Sequence, residues 1–189
     1  MSQQGLLSRV VSALDTLGIL YMVSGSIASS LQGEPRATHD ADLVIDISPS
    51  DLPALVQALD DPSLYLDEKS AASAVSRGQM FNLIDSTTGD KVDFWPLTDA
   101  PFDRSRFPRR MTIEALGMRL VVSAPEDTIL KKLDWSRQCG GSEKQFFDAV
   151  HVYEVQAGQL DDDYLREWAG ELCVTDLLLR LLEEAEIVD

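Results

Sequence analysis

Apolar positions recur along this chain with two different periods, and the change between them divides it. Leu6, Leu7, Val10, Val11, Leu14 and Leu17 stand at helical spacing and predict an amphipathic opening helix over residues 6–17. Ile19 to Val23 is a short unbroken apolar run, which predicts a buried strand ending at Ser24-Gly25-Ser26, with a short helix over 26–32. Ala41 to Ile47, rich in β-branched residues, predicts a second strand. Ser48-Pro49-Ser50-Asp51 then supplies turn and cap chemistry for a helix over 52–59. Residues 80–84 and 91–95 are strand-like runs on either side of Asp85-Ser86-Thr87-Thr88-Gly89-Asp90 and predict an antiparallel hairpin. Residues 111–114 and 118–122 predict another pair about Gly117.

Past residue 122 the helical period takes over. Ser123 and Glu126, with Pro125 in the first turn, form a capping-box pattern that opens a helix toward Arg137. Gln138 to Ser142 reads as a loop, and three helices follow near 143–157, 161–170 and 174–186. The expected fold class is α/β in the α+β sense: a small mixed sheet flanked by helices, with a C-terminal helical tail. No repeat, low-complexity tract or linker interrupts the 189 residues, a length typical of one domain. A single domain over 1–189 is therefore expected, sheet-containing over about 1–123 and helical over 124–189, with the tail packed on the sheet half.

Composition adds less than charge. Apolar residues make up 44% and charged residues 25%, ordinary values for a globular protein. The start Met1-Ser2-Gln3-Gln4 lacks the basic and apolar regions of a secretory signal, and no apolar run is long enough for a bilayer. A cytoplasmic protein without a membrane partner is the expectation. Cys139 and Cys173 are isolated thiols, expected to be reduced and structural, and with only His39 and His151 as partners they argue against zinc. The net charge of −16 argues against nonspecific binding of nucleic acid over the whole surface. The distribution is uneven: residues 161–189 hold ten acids and two bases, whereas 104–144 hold nine bases and five acids. An anionic substrate would favour that second window.

Three features carry chemistry. Gly25-Ser26 stands where a strand meets a helix, a place where backbone amides can meet a phosphate. Asp40-Ala41-Asp42 leads into Leu43-Val44-Ile45. Residues two apart on a strand share a face, roughly 6.5–7 Å apart, so both carboxylates can converge on a hard cation. Two like charges at the mouth of an apolar strand repel each other, and a purely structural role does not explain them. Asp93 sits between Val92 and Phe94, and its side chain points opposite to theirs. A third carboxylate beside the first two would complete a two-metal site for in-line phosphoryl displacement.

A strand ending in Gly-Ser, then Asp-x-Asp on a second strand, then a single Asp on a later strand, resembles the nucleotidyltransferase superfamily, whose fold is that of DNA polymerase beta. Arg36-Ala37-Thr38-His39-Asp40-Ala41-Asp42-Leu43 is similar to the Arg-x-Thr-x-Asp-x-Asp-Leu form of minimal bacterial nucleotidyltransferases of the abortive-infection toxin type. Pro125-Glu126-Asp127, Lys132-Leu133, Lys144 and Asp148 resemble that group's C-terminal motif. The resemblance runs from about Leu17 to Val150.

It implies that Asp40, Asp42 and Asp93 bind two magnesium ions and that Gly25 and Ser26 hold the β- and γ-phosphates of a nucleoside triphosphate, ATP among the candidates. Lys132 would approach the triphosphate. Lys131 competes for that role, and only the Lys-Leu pattern favours Lys132. Relatives often carry an acid next to the lysine where this chain has Lys144-Gln145, so Asp148 either orients the catalytic lysine or lies on a helix surface. Arg36 and Thr38 are left to support the metal pair, contact substrate or anchor their loop. The implied activity is transfer of a nucleoside monophosphate to an acceptor hydroxyl on an RNA end, a protein or a small molecule such as an aminoglycoside. An RNA acceptor would need a docking surface confined to Arg104, Arg106, Arg109, Arg110 and Arg119. The toxin-like resemblance adds an antitoxin as a candidate partner. The alternative is a catalytically inactive member that binds a nucleotide or a partner; retention of all three acids favours the enzyme.

Overall fold

Seventeen segments of regular structure follow one another in the computed structural model, which describes residues 2–187. In chain order they are α1 (Gln3–Leu17), β1 (Tyr21–Ser24), α2 (Gly25–Gln32), β2 (Asp40–Ile45), α3 (Leu52–Ala58), β3 (Leu64–Tyr65) and α4 (Glu68–Ser76). Then come β4 (Phe81–Asp85), β5 (Lys91–Pro96), α5 (Pro101–Arg106), a 3-10 turn (Phe107–Arg109), β6 (Met111–Ala115) and β7 (Met118–Val122). The last are α6 (Pro125–Gln138), α7 (Glu143–Val155), α8 (Asp162–Glu171) and α9 (Thr175–Glu184). The mixed α/β class expected from the periods is the one observed. No helix among the described residues is long and apolar enough to cross a membrane.

The chain gathers into two compact units. The first comprises the residues through Ser24 together with Thr38–Val122 and holds the whole sheet. Its strand order is β3-β4-β5-β2-β1-β7-β6. β2 lies in the interior, antiparallel to β1 and parallel to β5. The expected hairpins form, β4 with β5 and β6 with β7. α1 opens on Ser2, whose side chain accepts from the Gly5 amide, and closes on Gly18 at φ +68, where its amide meets the Leu14 and Asp15 carbonyls. Its apolar stripe of Leu6, Leu7, Val10 and Leu14 is buried against β2 and β5. On one side of the sheet Met22, Val44 and Phe107 form a buried cluster, with Trp95 and Leu97 packed on it.

The second unit comprises Gly25–Ala37 and the chain from Ser123 onward. Here α2 packs on both α6 and α7, while α8 and α9 pack on α6 and α7 respectively and on each other. Gly33, just past α2, lies so close to α7 that a Cβ there would stand 2.8 Å from the His151 carbonyl carbon and the Val152 nitrogen. α8 is tied to the start of α6 twice: the Tyr164 hydroxyl donates to Asp127 (2.7 Å) and the Asp161 amide to Glu126 (3.0 Å).

Those bonds correct one expectation. The Ser123/Glu126 capping box does not form: the N-cap is Ala124, without a side-chain cap bond. Glu126 is spent on α8, and the Ser123 carbonyl accepts from Gln32 Nε2. Both cysteines are free, as expected, yet exposed, so neither packs a core. Four elements lay outside the expected set: β3, α4, α5 and the three-residue 3-10 turn. β3 and α5 are only two and six residues long, and α4 buries only Ala71, Ala74 and Val75, too small a stripe for its period to stand out.

Candidate active site

β2 changes character along its length. Ala41, Leu43 and Ile45 are fully buried on one face and anchor the strand. On the other face Val44 joins the apolar cluster, while Asp42 and Asp40 continue past its edge. The parallel register sets Asp42 beside Asp93 and Asp40 beside Lys91. On the flanking strands Ser24 pairs with Asp42 and Asn82 with Asp93. Asp40, Asp42, Lys91 and Asp93 therefore share one face of the sheet. The orientation expected for Asp93 holds, because Val92 and Phe94 are buried on the opposite side.

These groups hold one another in place. Asp42 Oδ1 accepts from Trp95 Nε1 at 3.2 Å. Lys91 Nζ donates to Asp93 Oδ2 at 3.0 Å and stands 3.6 Å from Asp40 Oδ1. The Asp93 hydrogen bond, outweighing burial, holds the Lys91 ammonium above its usual pKa. Asp93 is only 6% exposed, and its Oδ1 is buried without a hydrogen-bond partner. An acceptor left so costs about 1–3 kcal/mol, and a bound cation would remove that penalty. Three carboxylates on one face, one with an unsatisfied buried oxygen, fit magnesium's preference for hard oxygen donors. Among the described residues no three acidic, imidazole or thiol side chains already close into a ligand set. Lys91 and Trp95 were not singled out in the sequence. Lys91, two positions from Asp93 on the same strand face, was open to the alternation argument that identified the Asp pair.

The second unit holds a separate cluster. Gly25, at φ +61, makes the left-handed step with which α2 begins. Arg36 grips Asp148 with a fork, Nε to Oδ1 at 2.8 Å and Nη2 to Oδ2 at 2.7 Å, and reaches Ser26 Oγ at 2.7 Å. Lys132 Nζ donates to the same Asp148 Oδ2 at 2.7 Å and to Gln145 Oε1 at 2.9 Å. Burial raises the Asp148 pKa, but the bonds and charges of Arg36 and Lys132 outweigh it and hold the carboxyl below its usual range.

Several open alternatives take definite positions. Lys132 is buried in this cluster, whereas Lys131 is partly exposed and pairs with Asp134 at 3.0 Å. Asp148 orients a lysine and an arginine at once. Gln145 contributes a hydrogen bond without a charge. Lys144 is exposed. Arg36 joins Ser26 to Asp148, while Thr38 is local: its hydroxyl donates to the Asp40 carbonyl at 3.2 Å. The expected arginine surface loses a member, since Arg106 is buried in an ion pair with Asp103 at 2.8 Å.

No protein-family model matches the sequence, and no curated protein sequence matches it. Solved structures do match, over nearly the whole chain. One is an antigenic nucleotidyltransferase-like protein from Paracoccidioides brasiliensis, 18% identical with a TM-score of 0.58, covering 99% of this chain and 94% of that one. Another is the antibiotic-resistance factor ANT(2'')-Ia in solution, 14% identical with a TM-score of 0.55, covering 97% and 98%. A third is ANT(2'')-Ia in complex with adenylyl-2''-tobramycin, 13% identical with a TM-score of 0.58, covering 92% and 98%. The fold is that of the nucleotidyltransferases.

Proposed function

We propose that the protein is a magnesium-dependent nucleotidyltransferase that moves a nucleoside monophosphate from a nucleoside triphosphate to an acceptor hydroxyl. The observation that carries this reading is the acidic face of β2 and β5: Asp42 and Asp93 in direct register, Asp40 one step along, and a buried Asp93 oxygen without a partner. A fold can host many activities, so the argument rests on these residues more than on the likeness.

Asp40, Asp42 and Asp93 are assigned as metal ligands. Bound magnesium would supply charge neutralisation and orientation of the phosphates for in-line displacement. Asp93 is assigned to help take the acceptor's hydroxyl proton as the acceptor oxygen bonds to the α-phosphorus. The bond from that phosphorus to the bridging oxygen breaks, and pyrophosphate leaves. Gly25, Ser26 and Lys132 are assigned to the β- and γ-phosphates. Lys132 suits that role because Asp148 and Gln145 fix its ammonium, so little side-chain entropy is lost on binding.

For the acceptor, the net charge of −16 favours a cationic hydroxyl compound over an RNA end. ANT(2'')-Ia was solved in complex with adenylyl-2''-tobramycin, the adenylylated form of a compound of that kind. The test is calorimetric titration of the four nucleoside triphosphates with magnesium into wild type and Asp42→Asn. Magnesium-dependent binding of one triphosphate, weakened at least about tenfold in the variant, is expected. Absence of binding by all four would sink the donor assignment.

A further inference from the structure

The Lys91 ammonium contacts two of the three carboxylates assigned to the metals, 3.0 Å from Asp93 Oδ2 and 3.6 Å from Asp40 Oδ1. Register explains why. Lys91 is the direct partner of Asp40 on the parallel strand, and Asp93 lies two residues further on the same face, so one side chain reaches both. A flexible four-carbon stem lets the ammonium swing, unlike the planar fork of an arginine. Lys91 is about one-third exposed, so a path to solvent is open, whereas the Asp93 side chain is 9% exposed and stays. On the same face Trp95 donates to Asp42, and Asp93 Oδ1 is buried without a hydrogen-bond partner.

We propose that Lys91 is a built-in counter-ion of the metal site, holding Asp40 and Asp93 together without metal and moving aside when a divalent cation binds. The inference rests on the metal assignment made above. Its physical basis is that like charges facing each other destabilise the folded chain unless a cation stands between them. An ammonium carries one charge and a divalent ion two, and it binds carboxylate oxygens at shorter range, so it displaces the lysine once its concentration suffices. The consequence is a threshold: the site is stable without metal, and metal must compete for it.

The experiment uses the full chain without nucleotide and manganese as the probe. Free manganese is followed by electron paramagnetic resonance for wild type, Lys91→Met, Lys91→Gln and Asp93→Asn. Removing the competing charge should tighten manganese binding by about tenfold or more in both lysine variants, and Asp93→Asn should weaken it. A thermal-unfolding series reads the other half of the proposal: without metal the lysine variants melt below wild type, and magnesium raises their midpoints by more than it raises that of wild type. A merely structural lysine would give the first drop without the second gain. Manganese binding left unchanged or weakened by both lysine substitutions overturns the counter-ion role and leaves the metal assignment standing. Absence of manganese binding by wild type and both lysine variants removes the metal assignment and the counter-ion with it.

Discussion

Asp148 serves two cations, which makes it the residue with the largest expected effect on its own unit. Replacement by Asn takes the counter-charge from the buried Lys132 and from the partly exposed Arg36, and breaking a buried pair such as Lys132–Asp148 costs about 3–5 kcal/mol. Lys132→Met should cost less, because Arg36 still holds the carboxylate and the lysine stem is replaced by a similar volume. Urea unfolding of the three proteins at neutral pH checks that order. The pH dependence has a definite sign. The folded-state pKa of Asp148 is depressed, so its contribution is fully present above the unfolded value near 4. It is lost as pH falls from there through the lower folded value. The gap in stability between wild type and Asp148→Asn should therefore be constant from about pH 5 to 7 and shrink below pH ~4. A gap that narrowed instead as pH rose would contradict the assignment.

At the scale of the element, α2 depends on two glycines for different reasons. Gly25 supplies a left-handed backbone, and Gly33 supplies the absence of a side chain. A methyl group at Gly33 meets α7 main chain, which cannot rotate away as a side-chain tip would. Gly33→Ala should therefore destabilise by about 1–3 kcal/mol by forcing α2 and α7 apart, measurable as a lower denaturation midpoint. An unchanged midpoint would mean the helices have room to shift. Most elements were legible from their period because burial here follows face: α1 buries Leu6, Leu7, Val10, Val11 and Leu14, and one face of β2 buries Ala41, Leu43 and Ile45. The capping pattern at Ser123 and Glu126 misled, because a carboxylate reaching across to α8 satisfies a distant amide as well as it would a local one. Nothing local distinguishes the two fates.

Across the whole molecule the excess of negative charge sets a background repulsion. Individual surface ion pairs contribute about 0–1 kcal/mol each and are themselves screened by salt, so sixteen uncompensated charges should dominate the response. Raising sodium chloride from about 0.02 M to 0.3 M, where the Debye length falls from roughly 20 to 6 Å, should raise the melting temperature. A gain of about 1 kcal/mol corresponds to roughly 2–4 °C for a chain of this size. A fall on adding salt would mean that the specific pairs outweigh the net repulsion.

The three acids, the strand faces they occupy and the mixed α/β class were open to the sequence, because strand alternation is a local rule that needs no partner. The lysine at the second cluster was narrowed to two neighbours and no further: adjacent helix positions differ only in which way they face, and the packing of α2 and α7 on α6 decides that. Only the tertiary structure brought Arg36 to Asp148 and so to Lys132, since a bond spanning 112 residues leaves no periodic trace. Lys91 became a partner of Asp40 in the same way. Its own strand sets its face, but the parallel register with β2, a choice made by the whole sheet, sets which carboxylate it meets.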